Sequence, residues 1–128
     1  MISPFDDYTV TTAKAPEAAV SAVQSRAQGK GFVVLHVHDL GKVFGEHGFP
    51  GEPAYVVELC NVGFGAGMLR WNPMASLMMP CKIAVYEKEG DTHISALRPR
   101  LMGDLFPQFA PQVEEADRVI VSIVEESR

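Results

Sequence analysis

The stretch from Leu77 to Leu97 constrains this chain most, because it reads as two strands joined by a turn. Pro80 has no amide hydrogen to give to a ladder, so the first strand is expected to begin at or just after it. Cys81, Ile83 and Val85 then share one face, while Lys82, Ala84 and Tyr86 share the other. Glu87 to Asp91 (Glu-Lys-Glu-Gly-Asp) reads as the hairpin turn and Thr92 to Leu97 as the return strand. A strand apolar on one side and mixed on the other belongs to a half-buried antiparallel sheet.

The remaining elements are built around this hairpin. Asp7 to Ala13, β-branched and aromatic, is expected to be an edge strand. Pro16 opens a helix in which Ala19, Val20, Val23 and Ala27 recur at helical spacing up to Gly29. Gly31 to His38 is a strand, with Val33, Leu35 and Val37 opposing Phe32, Val34, His36 and His38. Asp39 caps a short helix that puts Leu40, Val43, Phe44 and His47 on one side and ends at Gly48. Ala54 to Asn61 is a strand with Tyr55, Val57 and Leu59 opposing Val56, Glu58 and Cys60. Asn61 caps a helix over Gly63 to Trp71, whose three glycines each cost about 1 kcal/mol relative to alanine. Pro99 to Phe106 supplies one or two helical turns. Pro111 starts a last helix with Val113, Ala116, Ile120, Ile123 and Val124 on one stripe, and Glu114, Glu115, Glu125 and Glu126 on the solvated side. The order β-α-β-α-β-α-β-β-α-α predicts an α+β single domain: a mainly antiparallel β-sheet with helices packed on one face.

Length and composition agree with that architecture. The 128 residues suit one domain, and 47% hydrophobic with 21% charged residues is enough apolar material for an unaided core. A net charge of −5 disfavours nucleic acid as a partner, since Arg98 and Arg100 do not make a basic stripe. Met1-Ile2-Ser3-Pro4-Phe5-Asp6-Asp7 lacks the basic start and apolar run of a signal peptide, and no apolar stretch reaches spanning length, so a cytoplasmic protein with no membrane partner is expected. The two cysteines, Cys60 and Cys81, match no zinc-finger or CxxC spacing and are expected to be free thiols.

Cys60-Asn61, the run Met79-Pro80-Cys81-Lys82-Ile83-Ala84-Val85-Tyr86-Glu87, His38-Asp39-Leu40-Gly41 and Arg98-Pro99-Arg100-Leu101 together resemble the bacterial and archaeal family called domain of unknown function 302. The resemblance covers residues 8–125. It departs at Val62, where the family pattern has the proline of Cys-Asn-Pro, and in Gly63-Phe64-Gly65-Ala66-Gly67, where ordinary helix formers would stand. It implies a small α+β fold that dimerises, and no established activity.

Strand parity points to a site. If the aliphatic faces meet the helices, the helix-free face carries His36, His38, Glu58, Cys60, Lys82 and Tyr86. The reading adopted is a homodimeric binding module holding a small ligand or a transition metal on that open face, through His36, His38, Glu58, Cys60 and Tyr86. His36, His38 and Cys60 would suit copper or zinc, with Met78 or Met79 adding a thioether that favours Cu(I). The bland alternative is that the histidines are polar spacers and the methionines fill core gaps. A second class is a thiol-dependent enzyme or redox protein with Cys60 as nucleophile and His36 or His38 as base. A third is a structural dimer without a ligand. Strict alternation puts Cys60 and Cys81 on opposite faces, Cys81 in the core, and Cys60 beside a helix N-terminus that favours its thiolate.

Overall fold

A two-residue turn organises the sheet. β4 (Cys81–Lys88) runs into β5 (Asp91–Leu97) through Glu89 and Gly90, both at positive φ (54° and 85°), with Lys88 and Asp91 paired beneath them. Two successive residues of positive φ make the turn whose twist matches that of the flanking strands. The computed structural model describes Ser3 and residues 5–128, apart from the side chain of Leu101; Met1, Ile2 and Pro4 of the N-terminal reading lie outside the described residues.

Three more strands complete an antiparallel sheet of order β1-β5-β4-β3-β2. They are β1 (Asp7–Thr12), β2 (Val33–Asp39) and β3 (Ala54–Cys60). β1 and β2 are the edges. Helix α1 (Pro16–Gly29) and helix α5 (Ala110–Ser127) pack on one face of the sheet. Between them and the sheet Val23, Val57, Leu59, Ile83, Val85, Ile94 and Ile123 are fully excluded from water, as the two-faced patterns require. Each such side chain is worth about 1.5–3 kcal/mol of transfer free energy.

A second, smaller core lies at one end. Helix α3 (Val62–Trp71) forms despite its three glycines, capped by the Asn61 side chain, which accepts from the Phe64 amide at 3.3 Å. Met68 of α3 meets Ala75 of the 3-10 turn Pro73–Met78, Met102 of α4 (Leu101–Leu105), and Val113 of α5. The Arg98-Pro99-Arg100 corner ties this end together. Arg98 donates to both oxygens of the buried Asp117 carboxylate at 3.1 and 2.6 Å, and Arg100 grips Asp6 in the same forked way at 2.8 and 2.6 Å. The hydrogen bond to Asp117 raises the pKa of Arg98.

Two expectations about faces fail. In β2 the pairing steps from Val34↔Leu59 to His36↔Glu58, so Leu35 is an extra, bulged residue. A bulge flips the alternation. Ahead of it Phe32 (4% exposed) and Val34 turn toward the helices while Val33 and Leu35 face water, the reverse of the predicted parity; beyond it Val37 faces inward and His36 and His38 outward, as predicted. In α2 (Leu40–Glu46) the Asp39 cap forms to the Lys42 amide at 2.9 Å, yet Val43 and Phe44 stay about half exposed because no second layer covers them.

Two substitutions test the hairpin. Val85→Asp would bury an unpaired charge at a fully buried position and is expected to cost several kcal/mol, leaving the protein unfolded in circular dichroism. Glu89→Asn places a residue tolerant of positive φ before Gly90, and is expected to raise stability by about 0.5 kcal/mol in denaturant titration.

Candidate functional site

Helices cover one face of the sheet, and the other face presents its side chains in rows. One row runs His36, Glu58, Lys82 across β2, β3 and β4. The next runs His38, Val56, Ala84, Ser95, Thr9 across all five strands. A third holds Ala54, Tyr86, His93 and Thr11. The middle row is small at its centre, so a trough of about 390 Å³ opens over Val56, Ala84 and Ser95, with Tyr86 on one side and Lys82, Leu97 and Phe5 on the other. Its volume lies at the lower end of the range for small-molecule sites, and its lining is mostly apolar. Tyr86 is held upright by parallel stacking on His93, ring centres 5.3 Å apart.

A chain of hydroxyls crosses the trough. Tyr86 Oη lies 2.9 Å from Ser95 Oγ, Ser95 Oγ lies 2.8 Å from Thr9 Oγ1, and Thr9 Oγ1 donates to Asp7 Oδ2 at 2.5 Å. Hydrogen bonds from Ser3 and from Thr9 hold the Asp7 carboxyl below the usual carboxylate range. Each hydroxyl has one proton to give. With the Thr9 proton committed to Asp7, Ser95 must donate to Thr9 and Tyr86 to Ser95. The Tyr86 oxygen therefore turns its lone pairs toward the trough, and Lys82 supplies a cation at the far wall. Asp7, Thr9 and Ser95 were missed in the sequence; the alternation Asp7, Thr9, Thr11 in an edge strand was the available signal.

His36, His38 and Glu58 do come together beside this trough. The imidazole rings are 4.4 Å apart, edge to face, and His38 Nε2 meets Glu58 Oε1 at 2.5 Å. Cys60 does not join them. It is the last residue of β3, and its sulfur is turned to α3, 3.3 Å from where a Cβ on Gly65 would stand. Strict alternation placed it on the open face; the chain's bend into the Asn61 cap defeats that rule. Among the described residues no three His, Cys, Asp or Glu side chains converge on a common point, so the expected His36, His38, Cys60 metal set is not assembled. Neither imidazole hydrogen-bonds the Cys60 thiol, which leaves the nucleophile reading without its base.

The two thiols, expected to lie apart, line one small cavity of about 30 Å³ with Met79, Phe64 and Gly65. Both are free. Burial pushes the Cys81 thiol up, and the neighbouring Cys60 adds to the shift.

The sequence matches the family described as "Domain of unknown function DUF302" over residues 8–127. The chain belongs to the DUF302 family. The crystal structure of an uncharacterized conserved DUF302 protein from Bacillus stearothermophilus superposes with a TM-score of 0.87 at 21% identity, covering 96% of this chain and 98% of that one. No curated protein matches the sequence. Among the described residues, no helix of this DUF302 domain is long and apolar enough to cross a membrane.

Within this DUF302 chain the glycine-rich departure acquires a partial reason. Gly65 is the one of the three helix glycines whose missing Cβ leaves room for sulfur, whereas Gly67 faces open space. The thiols should differ in reactivity. Alkylation of the folded protein at neutral pH is expected to label Cys60 ahead of Cys81, whose thiol burial keeps protonated, as read by peptide mass. His36→Ala should leave the Cys60 rate unchanged.

Proposed function

We propose that this DUF302 protein is a homodimeric binding module that holds a small organic molecule in the trough on the helix-free face of the sheet. The hydroxyl chain ending on Asp7 is the observation that carries this reading, because it orients the Tyr86 oxygen as an acceptor at one wall while Lys82 offers a cation at the other. The matching ligand has an apolar body to lie over Val56 and Ala84, an anionic end for Lys82 and a hydroxyl or amine donor for Tyr86. A small aromatic or branched hydroxy acid has that chemistry. His36, His38 and Glu58 border the trough and would contact any ligand longer than its floor.

The dimer half of the proposal rests on the β2 edge and not on the open face. Phe32 and Val34 belong to the core, so they cannot supply an apolar contact on the open face. Val33 and Leu35 of the edge strand β2 are about half exposed, as are Val43 and Phe44 of the helix that follows it. Exposed apolar side chains of this number suit a contact with a second copy.

Titration with 4-hydroxybenzoate, followed by amide NMR shifts, tests the trough. Shifts are expected at Val56, Ala84 and Ser95, with Lys82→Ala weakening binding about tenfold through loss of a charge-assisted hydrogen bond. Ala84→Phe, which fills the floor, should abolish the shifts; their persistence would remove the trough as the site. Light scattering should give the mass of a dimer for the native chain and of a monomer for Leu35→Asp.

A further inference from the structure

Sulfur atoms collect at the end of the sheet opposite the β4–β5 turn. Cys60 Sγ and Met79 Sδ lie 3.3 and 3.9 Å from a single point, the place where Gly65 lacks a Cβ. Cys81, paired with Leu59 across β3 and β4, lines the same cavity. Apart from Asn61 the rest of its wall is apolar or a thioether, and no His, Asp or Glu lines it. At about 30 Å³ the cavity is too small for an organic ligand, but it has room for one ion.

We propose that this cavity is a Cu(I) site, with the ion held by the thiolates of Cys60 and Cys81 and the thioether of Met79. Soft sulfur donors select a soft ion. Zinc takes thiolate, imidazole or carboxylate ligands, four of them in a structural site, and this cavity offers only two thiolates; Cu(I), which accepts thioethers and low coordination, matches the set. An alanine at position 65 would press its methyl against the Cys60 sulfur, which explains a glycine inside a helix where it is otherwise costly. A groove of about 310 Å³ beside Leu77, Met78 and Pro80 reaches Cys81 from solvent, providing a path for the ion. Binding changes no oxidation state. Each thiol that is protonated releases its proton to solvent, two at most, and the bis-thiolate complex carries one net negative charge beside Lys82. The site is separate from the open-face trough, so either can fail without the other.

The test is an anaerobic titration of the reduced protein with Cu(I) against a chromogenic Cu(I) chelator. The native chain is expected to withdraw one equivalent, to show an ultraviolet thiolate-to-copper band, and to bind more tightly as pH rises, because Cys81 must lose a proton. Cys60→Ser or Cys81→Ser should abolish the band, and Met79→Leu should weaken binding about tenfold. Gly65→Ala should also weaken it, and His36→Ala should not. Thermal melts check that each variant folds; should a serine variant unfold, Met79→Leu and Gly65→Ala still decide. Failure of the native chain to compete with the chelator, retention of binding in both serine variants, loss of binding in His36→Ala, or an equal stoichiometry with Zn(II) would overturn the proposal.

Discussion

The structure depends on the burial of one face of a five-stranded antiparallel sheet under two helices. Val57, Leu59, Ile83, Val85 and Ile94 can reach the α1 and α5 stripe only if they point the same way. In a pleated strand that choice fixes the direction of every neighbour. The open face is thus the obligatory reverse side of the core, and its chemistry is set by the residues between the core positions: His36, Glu58, Lys82, Ala84, Tyr86, Ser95 and Thr9. A single-residue slip would bury lysine and expose isoleucine, so the trough is held in place by the same free energy that holds the fold.

Where the periodicity was regular, the fold was legible from the residues alone. The β4–β5 hairpin and the stripe Val113, Ala116, Ile120, Ile123 and Val124 of α5 could be read because one period runs through each without interruption. β2 could not, since a bulge at Leu35 reverses the alternation halfway and nothing local announces it. The open-face histidines were nevertheless placed correctly, lying beyond the bulge. Cys60 was misplaced because it stands where strand geometry gives way to a helix cap, and alternation has no authority there.

The candidate sites show the same limit more sharply. The contact between Thr9 and Ser95 joins residues 86 positions apart, and only the strand order β1-β5-β4 brings it together with Tyr86. Hydroxyl residues in strands are common, so no local pattern could single these out. The sulfur cavity needed two facts beyond spacing: that β3 and β4 are neighbours, and that α3 folds back so that Gly65 meets the end of β3. The forks from Arg98 to Asp117 and from Arg100 to Asp6 fasten the surrounding corner to α5 and to the segment before β1. Both candidate sites therefore rest on contacts distant in sequence, formed by side chains that look ordinary in isolation.

The bulge in β2 has a further consequence at the level of crowded solution. An outer strand with unpaired amides and carbonyls is a template on which a foreign strand can dock and repeat without end. In β2 the ladder rhythm breaks at Leu35, so an incoming segment can match only the few residues on one side of the break. Growth by repeated strand addition stalls there. The irregularity that obscured the reading of this strand is also what makes its edge a poor seed for fibrils.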